Sequence, residues 1–185
     1  LKNIAILASG SGSNAEEIFK YFTKSKKGKV VLIASNKEDA YVLERARKFE
    51  VPFFTFSKKE LEAGLVVQKL QDAKIDLLVL AGFLLKIPIN LIQAFPDSIV
   101  NIHPALLPKY GGKGMYGMRV HQAVKDQGEK KTGITIHLVN ENYDEGKIIF
   151  QAAVPISSSD TPEDIASKVH ELEYKYFPNV IESLL

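Results

Sequence analysis

Asn101-Ile102-His103-Pro104-Ala105-Leu106-Leu107-Pro108 is the end of an apolar strand that carries an amide and an imidazole and is then stopped by proline. Side chains two apart on a strand point the same way, so Asn101 and His103 emerge side by side at one strand end. Open α/β sheets bind ligands just beyond the carboxyl ends of their parallel strands. The stretch therefore sets a fold expectation and a site expectation together. Further along, Asp144-Glu145-Gly146 places a carboxylate in a turn able to reach the imidazole. An amide, an imidazole and a carboxylate on loops of one sheet form a proton-transfer and oxyanion site.

Outward from this point, apolar strand-like runs alternate with helical patterns, the mark of a mostly parallel sheet covered on both faces. The pattern predicts strands near 3–8, 30–35, 52–56, 77–81 and 98–102, with helices near 14–26, 39–49, 59–73 and 88–95. After His103 the rhythm changes to a glycine-rich loop over 111–117 and a helix near 119–127. Two β-rich runs follow, 132–139 and 147–154, and their short polar link suggests antiparallel strands at one side of the sheet. Asp160 or Thr161 is the expected N-cap of a last helix, with Pro162 in its first turn. No linker divides the chain, so residues 1–185 are expected to form one domain.

Composition narrows the function. At 185 residues and 45% hydrophobic content the chain can bury about 70% of its unfolded surface in one core. A formal charge of +2 leaves no nucleic-acid footprint, and the lysines at 24, 26, 27 and 29 read as a solvated tip without interleaved aromatics. Without cysteine there is no disulfide and no thiolate metal site, which fits a reducing cytoplasm. No His, Asp and Glu spacing resembles a metal site. The run from Lys2 to Ala8 looks superficially like a signal peptide, but it is short and leads into glycines, so it reads as a buried first strand. The longest apolar run, 77–85, falls far short of the ~20 residues of a membrane span.

Ser9-Gly10-Ser11-Gly12-Ser13-Asn14 lies between the first strand and the first helix. Small residues let the backbone wrap an anion, and amides at a helix start donate to phosphate. The alternative is an ordinary flexible turn. A dinucleotide site is disfavoured, because the third glycine is missing and the second strand ends in Ser35-Asn36 rather than an acid. Taken singly, Asn101, His103 and Asp144 each have a plain structural reading as strand-end, core and turn residues. Their joint place on the sheet edge that the glycine loop also faces is what favours chemistry. His121 falls in a helical pattern and reads as a helix-face residue rather than a ligand.

Taken in order, residues 9–14, Ser35-Asn36-Lys37, Leu43-Glu44-Arg45-Ala46, Leu80-Ala81-Gly82-Phe83, residues 101–108 and Asp144-x-Gly146 resemble the phosphoribosylglycinamide formyltransferases. The resemblance runs from residue 3 to about 178. It implies a Rossmann-like formyltransferase fold with a phosphate-binding half near 1–100 and a catalytic, folate-binding half near 101–185. It implies formyl transfer from 10-formyltetrahydrofolate to the amine of 5'-phosphoribosylglycinamide in purine synthesis, by a monomer or homodimer acting on small molecules without a metal. By position, it makes Asn101, His103 and Asp144 catalytic. Gly12, Ser13, Asn14, His170 and Glu173 would then hold the substrate, and Lys59, Leu84, Leu85, Lys86, Ile87, Asn101, Val139 and Glu141 the folate. The chain departs from the family pattern at Leu84-Leu85, at Lys59 in place of an arginine, at Glu145 after Asp144, and in the longer 111–117 loop. Two rivals stand beside this reading: another formyl-folate transferase or hydrolase, and a non-catalytic phospho-ligand module.

An amine attacking a formyl carbonyl creates a tetrahedral oxyanion, and donors aimed at that charge lower the barrier. Asn101 and a protonated His103 are the expected donors, with Asp144 raising the protonated fraction of His103 at neutral pH.

Overall fold

The computed structural model describes residues 1–185. The elements follow in the order β1 (Lys2–Leu7), α1 (Ser13–Phe22), β2 (Gly28–Ser35), α2 (Tyr41–Lys48), β3 (Phe53–Thr55), α3 (Lys58–Glu62) and α4 (Leu65–Asp72). After them come β4 (Leu77–Leu80), α5 (Ile89–Ala94), β5 (Ile99–His103), α6 (Met118–Asp126), β6 (Lys131–Leu138), β7 (Ile148–Pro155) and α7 (Pro162–Ser183). All seven strands join one sheet in the order β3-β2-β1-β4-β5-β6-β7. The first five are parallel, while β6 and β7 run antiparallel to their neighbours. This is the expected α/β class with antiparallel strands in the C-terminal half.

Strand alternation sorts the core into two layers. Ile4 and Ile6 of β1 point to one face, where Ile18 of α1, Val42 of α2 and Val169 and Phe177 of α7 cover them. Ala5 and Leu7 point to the other, against Leu61 of α3, Leu70 of α4 and Leu91 of α5. Because both faces of β1 are buried, it reads in sequence as a continuous apolar run rather than an alternating one. The Lys2 to Ala8 run is thus a central strand. No helix is long and apolar enough to cross a membrane.

One expected element is divided. The pattern over 59–73 predicts a single helix, but the chain breaks at Ala63-Gly64 into α3 and α4, with Gly64 in the left-handed region at φ 93°. The Asn90 amide donates to the Glu62 carbonyl at 3.0 Å, capturing an orphaned group at the end of α3. The start of α7 meets expectation: Thr161 is the N-cap in a capping box with Asp164, and Pro162 is the first helical residue.

From β1 the chain moves outward to β2 and β3, then returns across the sheet to β4 on the other side of β1. The reversal opens a crevice beyond the carboxyl ends of β1 and β4, the position where such sheets bind ligands.

Candidate active site

A cleft of about 500 Å³ occupies that crevice, bounded by the loops after β1, β4 and β5, the turn before β7, and faces of α6 and α7. Ser9 is buried just beyond the end of β1. Ser9 Oγ donates to Asn36 Oδ1 at 2.6 Å and accepts from the Leu84 amide at 3.0 Å. One hydroxyl therefore ties together the segments that follow β1, β2 and β4.

The glycine loop is held in a single shape. The Gly10 carbonyl accepts from the Val42 amide at 3.1 Å, and Arg45 Nε donates to the Ser11 carbonyl at 2.7 Å while its guanidinium pairs with Glu16. In a trans peptide the carbonyl and the following N–H point oppositely. Fixing Ser11 O against Arg45 thus turns the Gly12 amide the other way. Gly12 has φ 74°, and a Cβ there would meet Val42 Cγ2 at 2.4 Å, so only glycine fits. α1 begins directly afterwards with no side-chain cap. Its first-turn amides are the donors a phosphate needs, with the helix dipole behind them.

At the other end of the cleft, sheet register does the assembling. Antiparallel pairing sets Asn101 opposite His137 and His103 opposite Thr135. His137 Nδ1 donates to the Leu138 carbonyl at 3.0 Å, and its Nε2 lies 3.1 Å from Asn101 Nδ2. That contact orients the amide and leaves its second N–H for a ligand. His103 Nε2 donates to the Tyr110 carbonyl at 2.7 Å, so Nδ1 is the nitrogen available to exchange a proton.

Asp144 lies between the two imidazoles, with Oδ2 3.6 Å from His103 Nδ1 and Oδ1 3.7 Å from His137 Nε2. The Gly112 amide donates to Oδ2 at 2.9 Å. Burial alone would push the Asp144 carboxyl up, but His137, His103 and the Gly112 amide together hold it below its ordinary value. His103 goes the other way from the expectation. Burial, the largest influence, pushes its pKa below the ordinary imidazole value despite Asp144 and the Tyr110 carbonyl, which raise it; His137 adds to the lowering. Desolvation of a nearly fully buried ring outweighs a carboxylate that stands 3.6 Å off without a direct hydrogen bond.

The segment after His103 is clamped from β6 and β7. Thr135 Oγ1 donates to the Ala105 carbonyl at 2.7 Å and accepts from the Leu107 amide at 3.0 Å and from Gln151 Nε2 at 2.9 Å. Gln151 also donates to the Leu107 carbonyl at 3.0 Å. Thr135→Val keeps the shape but strands the Leu107 amide and the Ala105 carbonyl. It is expected to destabilise the fold by about 2–3 kcal/mol, measured by denaturant unfolding.

The cleft gathers most of the residues singled out in the sequence: Gly12, Ser13, Asn14, Leu84, Leu85, Lys86, Ile87, Asn101, His103, Val139, Asp144, His170 and Glu173. Glu173 is buried on α7 and accepts from Asn14 Nδ2 at 2.5 Å. Burial pushes its carboxyl up, against the lowering effects of Asn14 and His170. Lys59 and Glu141 are not brought in. Lys59 is exposed on α3, away from the switch point, and Glu141 faces solvent from a turn whose neighbours Asn140 and Asn142 line the cleft.

Sequence reasoning missed Thr135, His137 and Gln151, and took His121 for an ordinary helix residue. The one signal for His137 and Thr135 was their period-two spacing within a strand-like run beside the run holding Asn101 and His103. Chemically, the cleft offers an anion seat at one end and, at the other, an oriented amide, a proton-exchanging imidazole and a carboxylate. That set can bind a phosphorylated molecule and stabilise charge on a carbonyl oxygen beside it.

The formyl transferase family model matches residues 2–181. The chain is 43% identical to the chloroplastic phosphoribosylglycinamide formyltransferase of Arabidopsis thaliana, over 99% of its own length and 65% of that relative's. It is 38% identical to the phosphoribosylglycinamide formyltransferase of Bacillus subtilis, over 100% of its length and 95% of that protein's. It superposes on the crystal structure of glycinamide ribonucleotide transformylase 1 from Geobacillus kaustophilus with a TM-score of 0.91 at 33% identity, covering 100% of this chain and 99% of that one. With its sheet order and its amide-imidazole-carboxylate cluster alongside relatives that match it over its whole length, the chain belongs to the formyl transferase family, among the phosphoribosylglycinamide formyltransferases.

Proposed function

We propose that the protein transfers a formyl group from 10-formyltetrahydrofolate to the amine of 5'-phosphoribosylglycinamide, a step of purine synthesis. The observation that carries this reading is the shared cleft. The uncapped start of α1 and the Asn101, His103 and Asp144 cluster open onto one space, so a phosphorylated acceptor held at the first presents its far end to the second. Glu173, held by Asn14, suits the ribose hydroxyls, and Leu84, Leu85, Ile87 and Val139 form a largely apolar wall for the folate ring.

The acceptor amine attacks the formyl carbon, forming a C–N bond while charge builds on the formyl oxygen. Asn101 and the His103 Nδ1 proton are the donors for that oxygen. As the bond to the folate nitrogen breaks, the proton lost by the attacking amine passes to that nitrogen through His103 or water. No covalent intermediate with the protein is needed. Asp144 offsets part of the burial that lowers the proton affinity of His103.

The test is turnover with phosphoribosylglycinamide and 10-formyltetrahydrofolate, following release of the deformylated folate. Equal release without acceptor would make the protein a hydrolase instead, and no release with either would remove the catalytic reading.

Asp144→Asn preserves shape and removes charge. Asp144 raises the His103 pKa, so its loss lowers that pKa further, and at fixed pH less imidazolium remains. The alkaline limb of the pH profile is expected to move to lower pH, with neutral turnover falling by about tenfold or more. A limb that stays in place, with full neutral activity, would reduce Asp144 to a turn residue.

A further inference from the structure

His121 has no hydrogen-bonding role inside the protein. It lies on α6 with 2% of its surface exposed, and its Nδ1 has no partner. A buried polar atom without a partner has lost its water for nothing in return, and native proteins keep few of them. Packing does not call for an imidazole here, because Val120 and Val124 already seat α6 against Ala105. His121 instead lines the cleft, together with His103, His170 and Glu173.

Its surroundings fix its charge. Burial first, then the neighbouring His170 and His103, push its pKa down to about 4, so the ring is neutral at physiological pH. A neutral imidazole offers one N–H and one lone pair. Either one can meet a neutral amide, whose N–H pairs with a lone pair and whose carbonyl pairs with an N–H.

We propose that His121 hydrogen-bonds the amide of the acceptor's glycinamide arm and so positions the attacking amine. The inference rests on the acceptor being phosphoribosylglycinamide. In that molecule the amide lies between amine and ribose, and His121 lies within electrostatic reach of both His103, at the reacting end, and His170, beside the Glu173 end. His121 is a positioning residue: it takes no part in bond making.

The test compares the wild-type protein with His121→Leu, which removes both nitrogens at similar volume. Removing a group with no protein partner is expected to leave the melting temperature unchanged or raised. The acceptor KM should rise about tenfold or more while the KM for 10-formyltetrahydrofolate stays constant. His121→Asn or His121→Gln, each of which restores an amide near one ring nitrogen, should recover part of the loss. His121→Phe serves as the second apolar variant if leucine does not fold. An apolar variant with wild-type acceptor KM and kcat would overturn the proposal, and so would a lowered melting temperature with unchanged acceptor KM. Calorimetric titration with phosphoribosylglycinamide separates the two readings. No binding to the wild-type protein overturns the assigned acceptor, whereas equal binding to wild type and the apolar variant overturns only the role of His121.

Discussion

His103→Ala is expected to lower kcat by about 10²-fold or more, with ligand affinities changed by much smaller factors. The imidazole is buried, its Nε2 is committed to the Tyr110 carbonyl, and its Nδ1 is the one nitrogen turned toward Asp144 and the cleft. Alanine removes the proton-exchanging atom and leaves the Tyr110 carbonyl without its partner, so some stability is lost as well. Rates are therefore to be compared per folded molecule, with folding followed by circular dichroism. Asn101→Ala should show a loss of the same order, because it removes an amide that His137 already holds in orientation. His137→Ala should be milder, since the amide survives but is no longer fixed. Wild-type turnover in folded His103→Ala would end the mechanism proposed here. A loss of stability alone would mean that the ring serves only the fold.

Gly12→Val should abolish recognition of the phosphate. The position has a positive φ, and an added Cβ would meet Val42 at its side chain and, at 2.9 Å, at its Cα. The backbone must move, which displaces the Ser11 carbonyl from Arg45 and turns the first amides of α1 out of line. Two charge-assisted hydrogen bonds lost at about 1.5–3 kcal/mol each correspond to an acceptor KM raised by about 10²-fold or more. The KM for the formyl donor should not change, because the folate wall comes from the loop after β4 and the turn before β7. In the wild-type protein, glycinamide riboside without its phosphate should bind about 10²-fold more weakly than the ribonucleotide, and Gly12→Val should no longer discriminate between the two. Equal binding of riboside and ribonucleotide by the wild-type protein would show that residues 10–14 are an ordinary turn.

Much of the fold was legible because its signals are local. A buried parallel strand must be apolar throughout, a helix must repeat every 3.6 residues, and proline and glycine mark where each stops. The strands at 3–8, 30–35 and 77–81 and the hairpin from 132 to 154 correspond closely to β1, β2, β4, β6 and β7. The helix expected over 59–73 was misread, because its periodicity continues through Gly64 while the break depends on a glycine in a left-handed conformation and on an asparagine that arrives from α5.

The site was legible only in part, for the same reason. The chain itself determined that Asn101 and His103 share one side of a strand end, that glycines 10 and 12 open a helix, and that a carboxylate follows in a turn. Which residues meet them was decided by pairing between distant strands. Placing His137 opposite Asn101 and Thr135 opposite His103 requires the register of β5 on β6, and a shift by one residue would send both side chains into the apolar layer on the other face. Burial, too, belongs to the assembled structure. The sequence gives the sign of the Asp144 effect on His103, but only the closed cleft sets the larger desolvation that reverses the balance, and only the packing of α6 leaves the nitrogen of His121 enclosed and unpartnered. Charge effects follow from residue identity, whereas solvation follows from what the rest of the chain excludes.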